Sequence, residues 1–168
     1  SICKMNYKIV DNYLPKDELD RIKNIVLDNN LFNWYYTKNI THTNANFFNY
    51  FYLIHNLYDN NLPNSPYYDE LAGIFLDKGH INSLLRMKIN LYPNQGSFVE
   101  HPSHTDYDFE HKAALFSLNT CDGYTKLEDG TKIDSVENRM LFFDASKSHC
   151  STNTTNTDRR VNINFNYF

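Results

Sequence analysis

Two stretches of strict two-residue alternation constrain this chain more than any other feature. In "LLRMKINLY" (84–92), Met87, Ile89 and Leu91 fall on one side and Lys88, Asn90 and Tyr92 on the other. In the closing "RRVNINFNYF" (159–168), Val161, Ile163, Phe165 and Tyr167 alternate with Arg160, Asn162, Asn164 and Asn166. Successive side chains of a strand point to opposite faces, so each stretch reads as a strand with one apolar and one polar face. "HKAALFSLN" and "RMLFFD" read as buried strands. "LEDGTKI" between them reads as a hairpin turning at Asp129–Gly130.

Before residue 84 the period is helical. "LPKDELDRIKNIVLDNN" opens on Pro15 and places acids in its first turn. Leu19, Ile22, Ile25 and Val26 line one stripe, and the helix is expected to stop near Asn29–Asn30. "NSPYYDELAGIFLDKG" predicts a second helix, with Ser65 as cap, Pro66 opening, Leu71, Ile74 and Phe75 inward, and Gly79 closing. The aromatic segment between them has no clean period and reads as short strands and loop. Within it Trp34, Tyr35 and Tyr36 suit either an aromatic core or a lid. The pattern predicts a mainly β fold with N-terminal helices, a double-stranded β-helix (jelly roll, cupin-like). It is expected to form one domain over 1–168, with helical support over about 1–83 and the jelly-roll core over about 84–168.

Composition narrows the partners. The chain has 168 residues and a net charge of −4 with no dense Lys/Arg run, which makes nucleic acid a poor candidate partner. No apolar run reaches the length of a membrane span, and "SICKMNYKIV" lacks a signal-peptide core. Cys3, Cys121 and Cys150 cannot all pair and match no zinc spacing, so reduced thiols and a cytoplasmic location are expected.

"HPSHTDYDFEH" (101–111) is the densest run of titratable groups. His104 and Asp106 are two apart, so on extended chain an imidazole nitrogen and a carboxylate oxygen face the same way. His149, in "DASKSHCS" just past a strand, is the natural third ligand. Two His and one carboxylate on one face of a metal form the facial triad of non-haem iron oxygenases. An HxD pair alone is weak, and what strengthens it is Arg160, whose fork can bind a carboxylate through two hydrogen bonds. The Asn face of that strand either meets solvent, with Arg160 in a surface ion pair, or lines a barrel interior around a polar ligand. Pro102 argues against a helical HxxH site, leaving His101 a rim or structural residue. His111 is a structural or outer-sphere candidate, and His42, His55 and His80 show no partner pattern. Asp108 and Glu110 read as a solvated acidic loop. Cys150 lies beside His149 on the opposite face of a strand, which argues against a Cys/His nucleophile.

"NLYPNQGSFVEHPSHTD", then His149, then "RRVNINFNYF" resembles the Fe(II)/2-oxoglutarate dioxygenase superfamily, in its prolyl 4-hydroxylase-like branch of short phage and bacterial forms. The resemblance covers roughly residues 84–168. It implies that His104, Asp106 and His149 hold Fe(II), and that Arg160 pairs with the distal carboxylate of 2-oxoglutarate. It further implies that Tyr92, Asn90 and Asn162 contact that co-substrate. Arg159 competes with Arg160, and alternation favours Arg160. Thr125 falls where the family has a Gly-Gly-Thr-like strand start. The collagen-type enzymes carry Lys at the basic position, and the second Arg of the nucleic-acid demethylases is replaced here by Asn166. The implied activity is O2-dependent hydroxylation of an unactivated C–H bond with decarboxylation of 2-oxoglutarate to succinate and CO2, ascorbate serving as an accessory reductant. The implied substrate is a peptidyl residue such as proline or a small molecule. A cupin-like metal protein or non-catalytic jelly-roll module that ignores 2-oxoglutarate is the contrasting expectation.

Overall fold

The computed structural model describes residues 6–38 and 48–168. Its strands are β1 (Tyr7–Val10), β2 (Tyr35–Thr37), β3 (Tyr52–Asp59), β4 (Leu62–Pro63), β5 (Leu84–Pro93), β6 (Lys112–Ser117), β7 (Tyr124–Lys126), β8 (Lys132–Asp134), β9 (Arg139–Asp144), β10 (Cys150–Ser151) and β11 (Arg159–Tyr167). Its helices are α1 (Lys16–Val26) and α2 (Tyr68–Leu76).

A large antiparallel sheet runs β1-β9-β6-β11-β5-β3-β2, with β4 on β3, and a small sheet runs β10-β7-β8. The alternation in β5 and β11 decides which way the large sheet faces. Met87, Ile89, Val161, Ile163 and Phe165 are fully buried with Phe116 and Met140 against Ile22, Val26, Leu71 and Phe75 of the helices. Phe75 stands at the centre of that layer, its ring 4.8 Å from Phe165 and 5.1 Å from Phe116. The opposite face of the large sheet looks toward the small sheet, where Leu141 and Phe143 join Ile133 of β8 in a second apolar cluster. The Asn residues of β11 lie on that inner face and are buried, so the solvent-exposed alternative fails.

Several local expectations shift. α1 ends at Val26, where the Leu27 and Asp28 N–H groups both turn back to the Lys23 carbonyl, three residues before Asn29. Ser65 does not cap α2 at its first turn; its hydroxyl accepts the Tyr67 N–H one residue earlier. α2 ends at Leu76 with Asp77 as its C-cap, and Gly79, at φ +73°, turns the chain two residues further on, its N–H donating to the Leu76 carbonyl. The segment before residue 84 supplies strands as well as helices. β1 pairs with β9, and β3 is an eight-residue strand beside β5. Tyr35 and Tyr36 are exposed rather than core; Trp34 packs on Phe32 at the core margin. Among the described residues no helix is long and apolar enough to cross a membrane. Cys3 and His42 lie outside the described residues.

Candidate functional site

The loop after β5 pairs antiparallel with the segment around β10. His101 N–H donates to the Ser151 carbonyl (2.9 Å), and His104 and His149 exchange two backbone hydrogen bonds of 2.9 Å each. A reciprocal pair of this kind puts both side chains on the same face. Their rings stand 4.9 Å apart, and Asp106, two residues on, turns to the same side. Asp106 Oδ1 lies 3.4 Å from His104 Nε2 and 3.3 Å from His149 Nε2. The three ligand atoms fall within 4.8 Å of one another. Cis ligands about 2.1 Å from one ion stand about 3 Å apart, so the set is close to what a first-row divalent metal needs.

The surroundings fix each ligand. His149 Nδ1 donates to the Lys147 carbonyl (2.9 Å), which turns Nε2 toward the triad. Asn166 Nδ2 donates to Asp106 Oδ2 at 2.7 Å and Asn164 Nδ2 to the same oxygen at 3.3 Å. His111 Nδ1 donates to the Phe109 carbonyl, and its Nε2 lies 3.3 Å from Asn166 Nδ2. His111 is therefore tied to Asp106 through one asparagine. Burial pushes the Asp106 carboxyl up, but hydrogen bonds from His104, His149 and Asn166 outweigh it and hold it well below the usual range. His149 is pulled down by burial and raised further by the Asp106 carboxylate, with a net upward shift.

Arg160 enters the same interior from β11 and is 1% exposed. Nη1 donates to the carbonyls of Tyr124 and Thr152 (3.0 Å each) and to Ser151 Oγ (2.6 Å); Nη2 donates to Thr125 Oγ1 (3.1 Å). Nε is buried without a partner, and no described carboxylate lies within 4.0 Å of the guanidinium. A guanidinium grips a carboxylate side-on through its Nε–H and one Nη2–H, and of these the Arg160 Nε–H has no partner. Gly123 makes room for it, because a Cβ there would come within 2.6 Å of both Arg160 Cδ and the Asn153 carbonyl. Tyr92 lies under Arg160, ring centroid 5.6 Å from Cζ. Asn90 Nδ2 donates to Asn162 Oδ1 (3.0 Å), leaving Asn90 Oδ1 buried and unpartnered.

The structure thus gathers His104, Asp106 and His149 at one point and places Arg160, Tyr92, Asn90 and Asn162 on the adjoining β5–β11 wall. Arg159 points elsewhere, donating to the Leu27 carbonyl. His101 is not on a rim. It is 2% exposed, stacked on Tyr92 at 5.4 Å with neither ring nitrogen partnered, and burial with the nearby Arg160 and His104 pushes its pKa down to about 3. Burial raises the Cys150 thiol, so it is not an activated nucleophile. His55 and His80 are committed elsewhere, His55 to Asn33 and Ser65 and His80 to Tyr13. Sequence reasoning missed the anchoring of Asp106 by Asn164 and Asn166, although the buried polar alternation of β11 carried that signal.

No family model and no curated protein matches the sequence. Solved structures do. A viral collagen prolyl hydroxylase from Paramecium Bursaria Chlorella virus-1, in complex with 2-oxoglutarate, aligns over 100% of both chains at 14% identity with a TM-score of 0.63. A Trichoplax adhaerens prolyl hydroxylase bound to a hypoxia inducible factor peptide covers 98% of this chain and 84% of its own, at 15% identity and a TM-score of 0.68. HygX from Streptomyces hygroscopicus, with nickel, 2-oxoglutarate and hygromycin B bound, covers 96% of this chain and 82% of its own at 10% identity and a TM-score of 0.61. The chain has the jelly-roll fold of the 2-oxoglutarate/Fe(II) oxygenases, prolyl 4-hydroxylases among them.

Proposed function

We propose that this protein is an Fe(II)- and 2-oxoglutarate-dependent dioxygenase that hydroxylates an unactivated C–H bond, with a peptidyl residue such as proline as the first substrate to test. The observation that carries this reading is the pairing of two sites on one interior face. A His-Asp-His cluster shares that face with a fully buried arginine whose Nε–H is unpartnered and which has no counter-anion among the described residues. An uncompensated buried cation is expensive, so the geometry favours an anionic ligand held at that place. A cupin-like protein that ignores 2-oxoglutarate would have no use for it.

Each residue then has a role. His104, Asp106 and His149 would hold the metal on one face and leave the opposite positions open. With O2 as the oxidant, iron and 2-oxoglutarate, when bound, would supply the oxidative decarboxylation to succinate and CO2 that is coupled to hydroxylation. Arg160 orients the co-substrate by its distal carboxylate, and Thr125, Ser151 and the Tyr124 and Thr152 carbonyls hold the guanidinium in place. Tyr92 and neutral His101 wall that end of the pocket and exclude water. Asn164 and Asn166 keep Asp106 turned toward the metal.

The test is 2-oxoglutarate-dependent succinate formation by the protein with ferrous iron, in the presence of prolyl peptides. His104→Ala or Asp106→Ala should abolish it. Wild-type turnover in either variant would sink the triad assignment. The peptide reading draws on the Trichoplax neighbour and a small-molecule reading on HygX. A panel that includes free amino acids separates the two.

A further inference from the structure

Two cations on the site face of β5 have no part in that account. Arg86 and Lys88 alternate with Met87 and Ile89 and so share the inner face with Asn90 and Tyr92. Across the ladder Lys88 is in register with Asn164 and Arg86 with Asn166, the two asparagines that hold Asp106. The pair therefore stands at the level of the triad. Arg160 is paired with Tyr92, four residues from Lys88, or about 13 Å along the strand at roughly 3.3 Å per residue.

Their charges are poorly matched from within. Lys88 Nζ donates to Tyr52 Oη at 3.3 Å and lies 5.5 Å from the centre of that ring. No described carboxylate is within 4.0 Å of it. Arg86 donates from Nε to Asn166 Oδ1 (3.2 Å), stacks over Tyr107 at 5.2 Å, and reaches Asp106 Oδ2 only at 4.0 Å. Asp106 is committed to two histidines and two asparagines. Burial pushes the Lys88 amine down, as does the neighbouring Arg86 charge; the Asp106 and Asp59 carboxylates offset this only in part, and it settles at about 8.

The acceptors around Lys88 are equally incomplete. Asn56 of β3 and Asn164 of β11 flank it in register on either side, and both side-chain oxygens are buried without a partner. A resting polar wall satisfies its own groups, whereas this one leaves a cation and two amide oxygens open beside the triad. A ligand that carries a carboxylate together with N–H or O–H groups would complete all of them.

We infer that Lys88 and Arg86 form an anion subsite beside the metal triad, which holds a carboxylate of the molecule being oxidised while Asn56 and Asn164 accept its N–H or O–H hydrogens. The substrate is then an acid, either a free amino or imino acid or a peptide that presents a carboxylate next to the reacting carbon. This inference rests on the proposed oxygenase function and narrows its substrate class.

The experiment compares acid–amide pairs on the full chain loaded with Co(II), with and without 2-oxoglutarate. Binding is read from paramagnetic relaxation of the probe protons. N-acetyl-L-proline against N-acetyl-L-prolinamide represents the peptide source, and L-glutamate against L-glutamine the free acid. In at least one pair the acid should bind about tenfold tighter than the amide, a difference of one decade in Kd. Lys88→Met should remove that preference, Lys88→Arg should restore it, and 2-oxoglutarate affinity should stay unchanged. Lys88→Gln serves if the methionine variant does not fold. Equal affinity within both pairs, or no binding by either acid, overturns the inference. So does a loss of 2-oxoglutarate affinity in Lys88→Met, which would give the lysine to the co-substrate. Failure of the oxygenase reading itself would appear separately, as wild-type protein that does not bind 2-oxoglutarate at all.

Discussion

Gly123→Ala is a small change with a large expected effect, because the glycine sits where Arg160 crosses between the sheets. An added Cβ would lie 2.6 Å from Arg160 Cδ, 2.6 Å from the Asn153 carbonyl oxygen and 3.1 Å from Thr152 Oγ1. Non-bonded carbon atoms settle near about 3.5 Å, so something must move by roughly 1 Å. The Asn153 backbone cannot give easily. Its N–H donates to the Val99 carbonyl, and its side chain bonds the Val99 N–H and the Ser97 carbonyl. The displacement therefore falls on Arg160. Overpacking of this kind costs about 1–3 kcal/mol of stability. Losing one charge-assisted hydrogen bond to a carboxylate costs about 1.5–3 kcal/mol, so 2-oxoglutarate affinity should fall roughly ten- to a hundredfold. Thermal unfolding and an anaerobic 2-oxoglutarate titration measure the two effects separately. An alanine variant with wild-type melting temperature and wild-type 2-oxoglutarate affinity would refute the placement of Arg160 against Gly123.

Other consequences follow from the same contacts. Asn166→Ala removes the 2.7 Å donor to Asp106 and should raise the Fe(II) concentration needed for half-maximal turnover by about 10–100-fold, with the fold retained by circular dichroism. Asp122 is raised by burial but lowered further by hydrogen bonds from Thr155, Thr154 and Asn156, to about 2. A carboxyl depressed on folding stabilises the protein above its unfolded value near 3.8 and loses that contribution as pH falls toward 2. The melting-temperature gap between wild type and Asp122→Asn should thus be widest above pH about 4 and close toward pH about 2; a gap independent of pH would contradict it.

Legibility in the sequence followed the range of the interactions. The strands β5 and β11 were readable because alternation is local: Met87, Ile89, Ile163 and Phe165 had to face apolar partners whatever those were. β1 was not, since "YKIV" becomes a strand only by pairing with β9 more than a hundred residues later. Tyr35 and Tyr36 misled because aromatic content suggests core, while their place on the edge strand β2 leaves them exposed. At the site, the HxD spacing placed His104 and Asp106 on one side, but the backbone bridge that brings in His149 is tertiary. Nothing local in "HPSH" reveals that His101 is buried on Tyr92. The acceptors of Arg160 come from β7, β10 and the residue after β10, which only the packed sheets bring together.

The most direct test of the central claim is anaerobic. Ferrous iron is added to the purified protein, 2-oxoglutarate is titrated in, and the weak visible metal-to-ligand charge-transfer absorption of a keto acid chelated to Fe(II) is followed. The account predicts that the band appears in wild type, needs much more 2-oxoglutarate in Arg160→Ala, and is absent in Asp106→Ala. Iron binding without the band would leave the jelly roll and its metal cluster standing and contradict the oxygenase.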